Sequence, residues 1–244
     1  MAIEIQVVTR FTPHRLIGDA DNRTVTVARQ LDPTTQEHVR RAVDSLYDEF
    51  GEIHTRETIQ GVVDDSLTQL VGEAEVNDFL ATLAFRFSRE RLKAMGRAHG
   101  APDAASEVLF VGLGDSGRGQ IASALVTLRS EGRVIAHSAG QAAARSVDPA
   151  VIAVMEELGV DLSDAFAKPL SPEVLAAADF VVTMGRSVGS VAIPSSTRHV
   201  DWRVGDPTGA SLDEARRVRD DIDRRVLDLL ESLDAETAPI PALD

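Results

Sequence analysis

Between residues 33 and 97 the apolar positions recur at helical spacing. After the helix start Asp32-Pro33, Val39, Val43, Leu46, Tyr47 and Phe50 share one face, and Gly51 ends the run. Ile59, Val62, Val63, Ser66, Leu67 and Leu70 mark a second helix that begins after Thr55 and stops near Gly72. Leu80, Leu83, Ala84, Phe87 and Met95 mark a third, beginning after Asn77 and closing at Gly96. Short connections make such helices antiparallel neighbours, so residues 33–98 are expected to form a small three-helix bundle with Phe50, Phe79, Phe85 and Phe87 along its seam. Ahead of it, Ile3, Ile5 and Val7, then Val25 and Val27, alternate with polar residues. Residues 1–32 therefore read as an N-terminal arm or a β-hairpin turning at Gly18-Asp19-Ala20-Asp21-Asn22.

The period changes after His99-Gly100-Ala101-Pro102-Asp103-Ala104-Ala105, a small, proline-containing stretch read as a linker over 99–105. Short apolar runs at 108–111, 133–138, 179–184 and 199–202 read as buried strands. Helical patterns separate them at about 119–129, from Asp148-Pro149 through Leu158, and after Ser171-Pro172. The capping box Ser211-Leu212-Asp213-Glu214 announces a long closing helix, with Ala215, Val218, Ile222, Val226, Leu229 and Leu233 on its inner stripe. Such alternation predicts an α/β unit over 106–234, a four-stranded parallel sheet with helices on both faces, followed by a tail at 235–244. Ligands of such sheets sit at the carboxyl ends of the strands.

Charge and composition narrow the function. A formal charge of −14 argues against nucleic-acid and anionic-membrane partners, which such a surface repels. No stretch approaches the roughly 20 apolar residues of a membrane helix, and the first residues lack a signal-peptide pattern, so a cytoplasmic location is the expectation. The chain contains no cysteine, which removes disulfides, thiolate metal sites and any thiol nucleophile of its own. Its six histidines, at 14, 38, 54, 99, 137 and 199, show no paired ligand spacing, and no metal or cofactor is implied. The run Arg86-Phe87-Ser88-Arg89-Glu90-Arg91-Leu92-Lys93 reads as a solvated helix face with internal Glu90 pairing rather than a patch for an acidic partner.

The chemistry concentrates where the first α/β strand ends. Gly112-Leu113-Gly114-Asp115-Ser116-Gly117-Arg118-Gly119 joins that strand to a helix beginning Gln120-Ile121-Ala122. A loop of this kind turns backbone N–H groups inward, and with a helix N-terminus and one arginine it forms a cup for a tetrahedral oxyanion.

These residues, with Ser138-Ala139-Gly140, Val147-Asp148-Pro149-Ala150, Val181-Val182-Thr183-Met184-Gly185, Trp202 and Asp206-Pro207, resemble the low-molecular-weight tyrosine phosphatase and arsenate reductase family. The stretch ending Phe85-Arg86-Phe87-Ser88-Arg89-Glu90-Arg91-Leu92 is similar to the three-helix domain preceding the reductase domain in actinobacterial arsenate reductases. The resemblance implies a Cys-x-x-x-x-x-Arg-Ser loop, in which the cysteine attacks phosphorus or arsenic, the arginine clamps the oxygens and the serine supports the thiolate. Arg118 matches the clamp, and Asp206 matches the acid that protonates the leaving group. Gly112 stands at the nucleophile position, Gly119 at the serine, and Asp115 where the family carries a neutral side chain. Asp115 is expected to set negative charge beside the pocket and oppose a dianion. Ser116, the one hydroxyl in the loop, has no histidine beside it in sequence and makes a poor substitute nucleophile.

The expectation is therefore a catalytically silent relative. Residues 113–119 still form the site for a phosphate-, arsenate- or sulfate-type anion, Gly112 is inert and Asp206 is a vestigial acid or simply the turn-former before Pro207. The alternative is an arsenate reductase in which an external small-molecule thiol attacks an anion held by Arg118, with Asp206 as acid. Homodimerisation through the helical region or the N-terminal arm is the partner expectation.

Overall fold

The computed structural model describes residues 31–71, 79–98, 105–185 and 191–237. The expected hairpin over 1–32 lies outside them except for its last two residues, as do most of the linker and the end of the C-terminal tail.

Helix α1 (Pro33–Phe50) is capped by Asp32, whose carboxylate accepts from the N–H groups of Thr34 and Thr35 at 2.9 and 3.1 Å. It packs with α2 (Arg56–Val71) and α3 (Leu80–Ala98) around Val43, Leu46, Ile59, Val63, Leu67, Phe87 and Leu92. The expected aromatic seam is only half present. Phe50 and Phe87 are buried and Phe85 is partly buried, but Phe79 is 68% exposed, because it precedes α3 and the inward face is taken by Leu80, Ala84 and Phe87. Gly96 does not close α3, which runs on to Ala98. A Cβ at 96 would stand 3.0 Å from Ile53 Cδ1, so glycine there lets α3 pass close to the turn between α1 and α2.

Four parallel strands follow, β1 (Glu107–Gly112), β2 (Ile135–Gly140), β3 (Phe180–Met184) and β4 (Arg198–Trp202), in the spatial order β2-β1-β3-β4. All six residues of β1 are buried, as a central strand covered on both faces requires. Val108 and Phe110 face helices α4 (Arg118–Arg129), α5 (Pro149–Glu156) and α7 (Leu212–Thr237) through Ile121, Leu125, Val151, Met155, Ile222 and Val226. Trp202 at the end of β4 tilts against Phe110, their ring centroids 5.6 Å apart. Leu109 and Val111 face the opposite side, where α6 (Pro172–Ala177) packs together with Ala94 of α3.

Helix α3 thus contributes to two cores. Between them, the buried guanidinium of Arg91 bonds Ser66 Oγ at 3.0 Å and pairs with Asp65 of α2 at 2.7 Å and Glu173 of α6 at 2.9 Å. The basic run of α3 is accordingly a solvated face only in part: Arg86 and Lys93 are exposed, whereas Phe87, Ser88, Arg91 and Leu92 are buried. Arg89 reaches Glu49, and Arg86 donates to the Asp164 carbonyl. Glu90 does not pair within its own helix but with His137 of β2 and with Lys168, because its face of α3 is turned to the sheet.

Candidate functional site

Because β1 ends at Gly112 and α4 starts at Arg118, residues 113–117 must reverse the chain at the carboxyl edge of the sheet. The loop lies directly on the end of β2. A Cβ at Gly140 would stand 2.8 Å from the Leu113 carbonyl oxygen and 2.9 Å from Asp115 N, a gap only glycine leaves open. The loop carbonyls are engaged away from the cup. Those of Gly112, Leu113, Gly114 and Ser116 accept from the N–H groups of Gln141, Ala142, Ala144 and Asp148 at 2.7–3.1 Å, and that of Gly117 accepts from Ile121. The N–H groups of residues 113–119 meet no backbone or side-chain acceptor among the described residues. Orphan donors at a helix start are a positive electrostatic surface. They border a cavity of about 200 Å³ lined by residues 112–119, Asp206 and Thr208.

Arg118 and Asp206, 88 positions apart in sequence, meet over this cavity, with Nη2 and Oδ2 at 3.0 Å. Gly185 makes room for the arginine. It adopts φ +97°, and a Cβ there would fall 2.2 Å from Arg118 Nη1. Gly117 performs the same service for the loop carrying Asp206, since its Cβ would lie 2.9 Å from Pro207 Cγ and 3.0 Å from Thr208 Oγ1. Thr208 N donates to Asp206 Oδ1 at 3.1 Å, and Asp148, the cap of α5, accepts from Gly209 N at 2.9 Å, which ties this loop down. Ser116 Oγ meets Thr208 Oγ1 at 3.3 Å and has no base beside it among the described residues. At Gly112 a Cβ would meet nothing within 4 Å, so the nucleophile position is open space.

Asp115 departs from its expected placement beside the cup. Its carboxyl is buried within the protein, Oδ2 accepting from Gln120 Nε2 and from Lys168 N at 2.9 Å each, while Oδ1 is buried with only the Ser138 side chain beside it as a donor and makes no hydrogen bond of normal geometry. Its backbone sits at φ +51°, a region that aspartate and asparagine enter more readily than other residues with a Cβ. Burial pushes its carboxyl up to about 7, against the opposing pull of the Lys168 ammonium and N–H. A Cβ at Gly119 would lie 3.1 Å from Asp115 Oδ1 and 3.3 Å from Ser138 Cβ. The carboxylate at 115 and the glycine at 119 are therefore one structural arrangement rather than two independent changes.

Behind Asp115, Lys168 Nζ binds both oxygens of Glu90, at 2.9 and 3.2 Å, and His137 Nδ1 lies 2.9 Å from Oε1. Burial alone would raise Glu90, but the lysine and the histidine outweigh it and hold the carboxyl down at about 2. Burial would lower Lys168, and the carboxylates of Glu90 and Asp115 reverse this and raise it. His199, by contrast, only bridges neighbouring strands through Thr183 Oγ1 at 3.0 Å. Gly185, Gln120, Lys168 and Glu90 are site elements that periodicity does not single out. Two weak signals existed: Gly185 follows a strand end, and Lys168 is one of only two lysines in an arginine-rich chain.

A parallel sheet in the order 2-1-3-4, with a glycine loop and an arginine at the carboxyl end of the strand that comes first in sequence, has the architecture of the small α/β phosphatases and arsenate reductases. The chain belongs to the low molecular weight phosphotyrosine protein phosphatase family, which it matches over residues 107–238. Residues 39–96 match the N-terminal domain of protein-tyrosine-phosphatase-like proteins. Among solved structures, the thioredoxin-dependent arsenate reductase of Corynebacterium glutamicum is similar across both parts, with a TM-score of 0.72 and 30% identity over 82% of this chain and 98% of that one. A glutaredoxin arsenate reductase of Synechocystis is 33% identical over 128 residues, 51% of this chain and 95% of its own. An arsenate reductase of Bacillus cereus is 33% identical over 122 residues, 49% of this chain and 90% of its own.

Proposed function

We propose that the protein is an oxyanion-binding, catalytically silent member of this family, acting in the cytoplasm through binding rather than turnover. The observation that supports it most is the pairing of a complete cup with an empty nucleophile position. Seven loop N–H groups are without an acceptor among the described residues, Arg118 stands over them, and Gly112 carries no side chain. A fixed nucleophile is worth several kcal/mol, up to about 7–11 in well-oriented cases, and this chain forfeits that term. Calorimetry with phosphate, arsenate and sulfate is expected to show binding that Arg118→Ala abolishes. No turnover of arsenate or aryl phosphate is expected with a full thiol-reductant system. Turnover that disappears with Arg118→Ala would overturn the reading.

One observation favours a second reading, namely the open space at Gly112. An external thiol entering there would attack arsenic as water leaves with a proton from Asp206, and a second thiol would release arsenite and a disulfide. Arsenate consumption that depends on added thiol, with the arsenite and disulfide formed in equal amounts, distinguishes it. The helical region is proposed to mediate self-association, which light scattering tests.

A further inference from the structure

The anion loop is connected to the helical region through Lys168, a largely buried residue that bonds with its side chain on one side and its backbone on the other. Lys168 is held at both ends: its ammonium by Glu90 of α3, its backbone N–H by Asp115 of the loop. The groups facing Asp115 come from every element around it. Gln120 of α4, Ser138 of β2 and Lys168 on the segment before α6 act on Asp115 directly, and Glu90 of α3 acts on it by its charge. His137 of β2 pairs with Glu90, Arg86 of α3 lies near Lys168, and Arg118 of α4 is engaged by Asp206. Of the two Asp115 oxygens, Oδ2 already accepts two donors, whereas Oδ1 is buried beside Ser138 and the missing Cβ of Gly119 and makes no hydrogen bond of normal geometry.

We propose that oxyanion binding to the loop is accompanied by proton uptake at Asp115 Oδ1, up to one per anion, and that Glu90 is the positioning residue that permits this by neutralising Lys168. This deepens the oxyanion-binding reading and rests on it. A dianion in the cup and the Asp115 carboxylate, which is turned to the interior behind the same loop, carry like charge, and their repulsion through the poorly screened interior falls when that carboxylate is protonated. Lys168 would oppose the protonation if its charge were free. With Glu90 bound to it, the lysine attracts Asp115 less, and the Glu90 charge itself adds repulsion at Asp115. The helical region is thus part of the anion site although it touches no anion.

The test uses sulfate, which remains a dianion between roughly pH 5.5 and 8.5, so any proton taken up belongs to the protein. Calorimetry of the full chain in buffers of different ionisation heat is expected to show about half a proton taken up per sulfate at pH 7, with affinity falling up to about tenfold per unit at higher pH. Asp115→Asn removes the uptake and flattens the profile. Glu90→Gln shifts the fall to lower pH and weakens binding at pH 7, whereas a merely structural effect would lower affinity equally at every pH. Carboxyl carbon NMR without anion follows Asp115 directly, and its midpoint is expected to move down in Glu90→Gln. Uptake that persists in Asp115→Asn, or an Asp115 midpoint unmoved by Glu90→Gln, overturns the proposal. Absence of sulfate binding at any pH removes the oxyanion reading and the coupling with it, while the anion-free titration still decides whether Glu90 acts through Lys168.

Discussion

Replacing Gly185 by alanine is expected to abolish most anion affinity while leaving the protein folded. The new Cβ would fall 2.2 Å from Arg118 Nη1, 2.7 Å from Cζ and 2.9 Å from Nη2, so the guanidinium must leave its seat. The obstacle is the end of a long side chain, so the arginine yields rather than the backbone. The stability cost has two parts. A residue with a Cβ at φ +97° carries strain of about 1–3 kcal/mol. The Arg118–Asp206 pair is lost as well, but Asp206 is 55% exposed, which limits its contribution to about 1 kcal/mol or less. For a chain of this size each kcal/mol lowers the melting temperature by about 2–4 °C, so the combined cost of about 1–4 kcal/mol lowers it by roughly 2–16 °C. The binding cost is larger. A charge-assisted hydrogen bond contributes about 1.5–3 kcal/mol, and loss of one to two of them from a guanidinium weakens phosphate or sulfate roughly 10- to 10,000-fold. Calorimetric titration paired with a thermal melt measures both quantities on one sample. Wild-type affinity in a folded Gly185→Ala protein would refute the reasoning, because it would mean that Arg118 does not clamp the anion from the position it occupies.

Three further outcomes are expected. Asp115→Asn should change the pH dependence of stability. The folded protein holds the Asp115 proton up to about 7 against an ordinary 3.8, so the stability present below about pH 4 is lost as pH rises to 7, by at most about 4 kcal/mol; the variant should lose this slope and be the more stable protein at pH 8 in urea melts. Gly112→Cys fits without a clash but should restore little aryl phosphatase activity, because Gly119 offers no hydroxyl to support a thiolate; adding both Asp115→Asn and Gly119→Ser should recover more than the sum of the singles, since these groups act as a unit, and strong activity from Gly112→Cys alone contradicts this. Arg91→Ala should destabilise by about 3–5 kcal/mol, as it strands Glu173 between α3 and α6, whereas Arg89→Ala, which breaks only a surface pair with Glu49, should cost about 1 kcal/mol or less by denaturant titration.

The helices and strands were legible because their signals are local. The Asp32-Pro33 cap, the stripe from Val39 to Phe50 and the uniformly apolar β1 each appear within a few residues, and the structure places those elements within two or three residues of expectation. Gly96 and Phe79 were misread for the same reason. A glycine normally ends a helix and a phenylalanine normally turns inward, but the proximity of Ile53 and the position of Phe79 ahead of α3 are set by packing. Charge placement was the least legible. In the sequence Glu90 reads as paired within its own helix because i,i+3 and i,i+4 neighbours are all that a linear pattern displays, whereas its partners are 47 and 78 positions away.

By itself the sequence determined that this protein has a glycine loop between strand and helix, an arginine at its far end, and no cysteine anywhere. Those facts are matters of residue identity and order, and no fold can alter them. Only the tertiary structure decided that Asp115 turns into the interior toward Lys168 and Glu90 rather than toward the cup, that Gly185 seats Arg118, and that the nucleophile position is open. The physical reason is that the charge and space at each of these points are set by groups from separate elements. They become neighbours only when the sheet closes under α3 and α4.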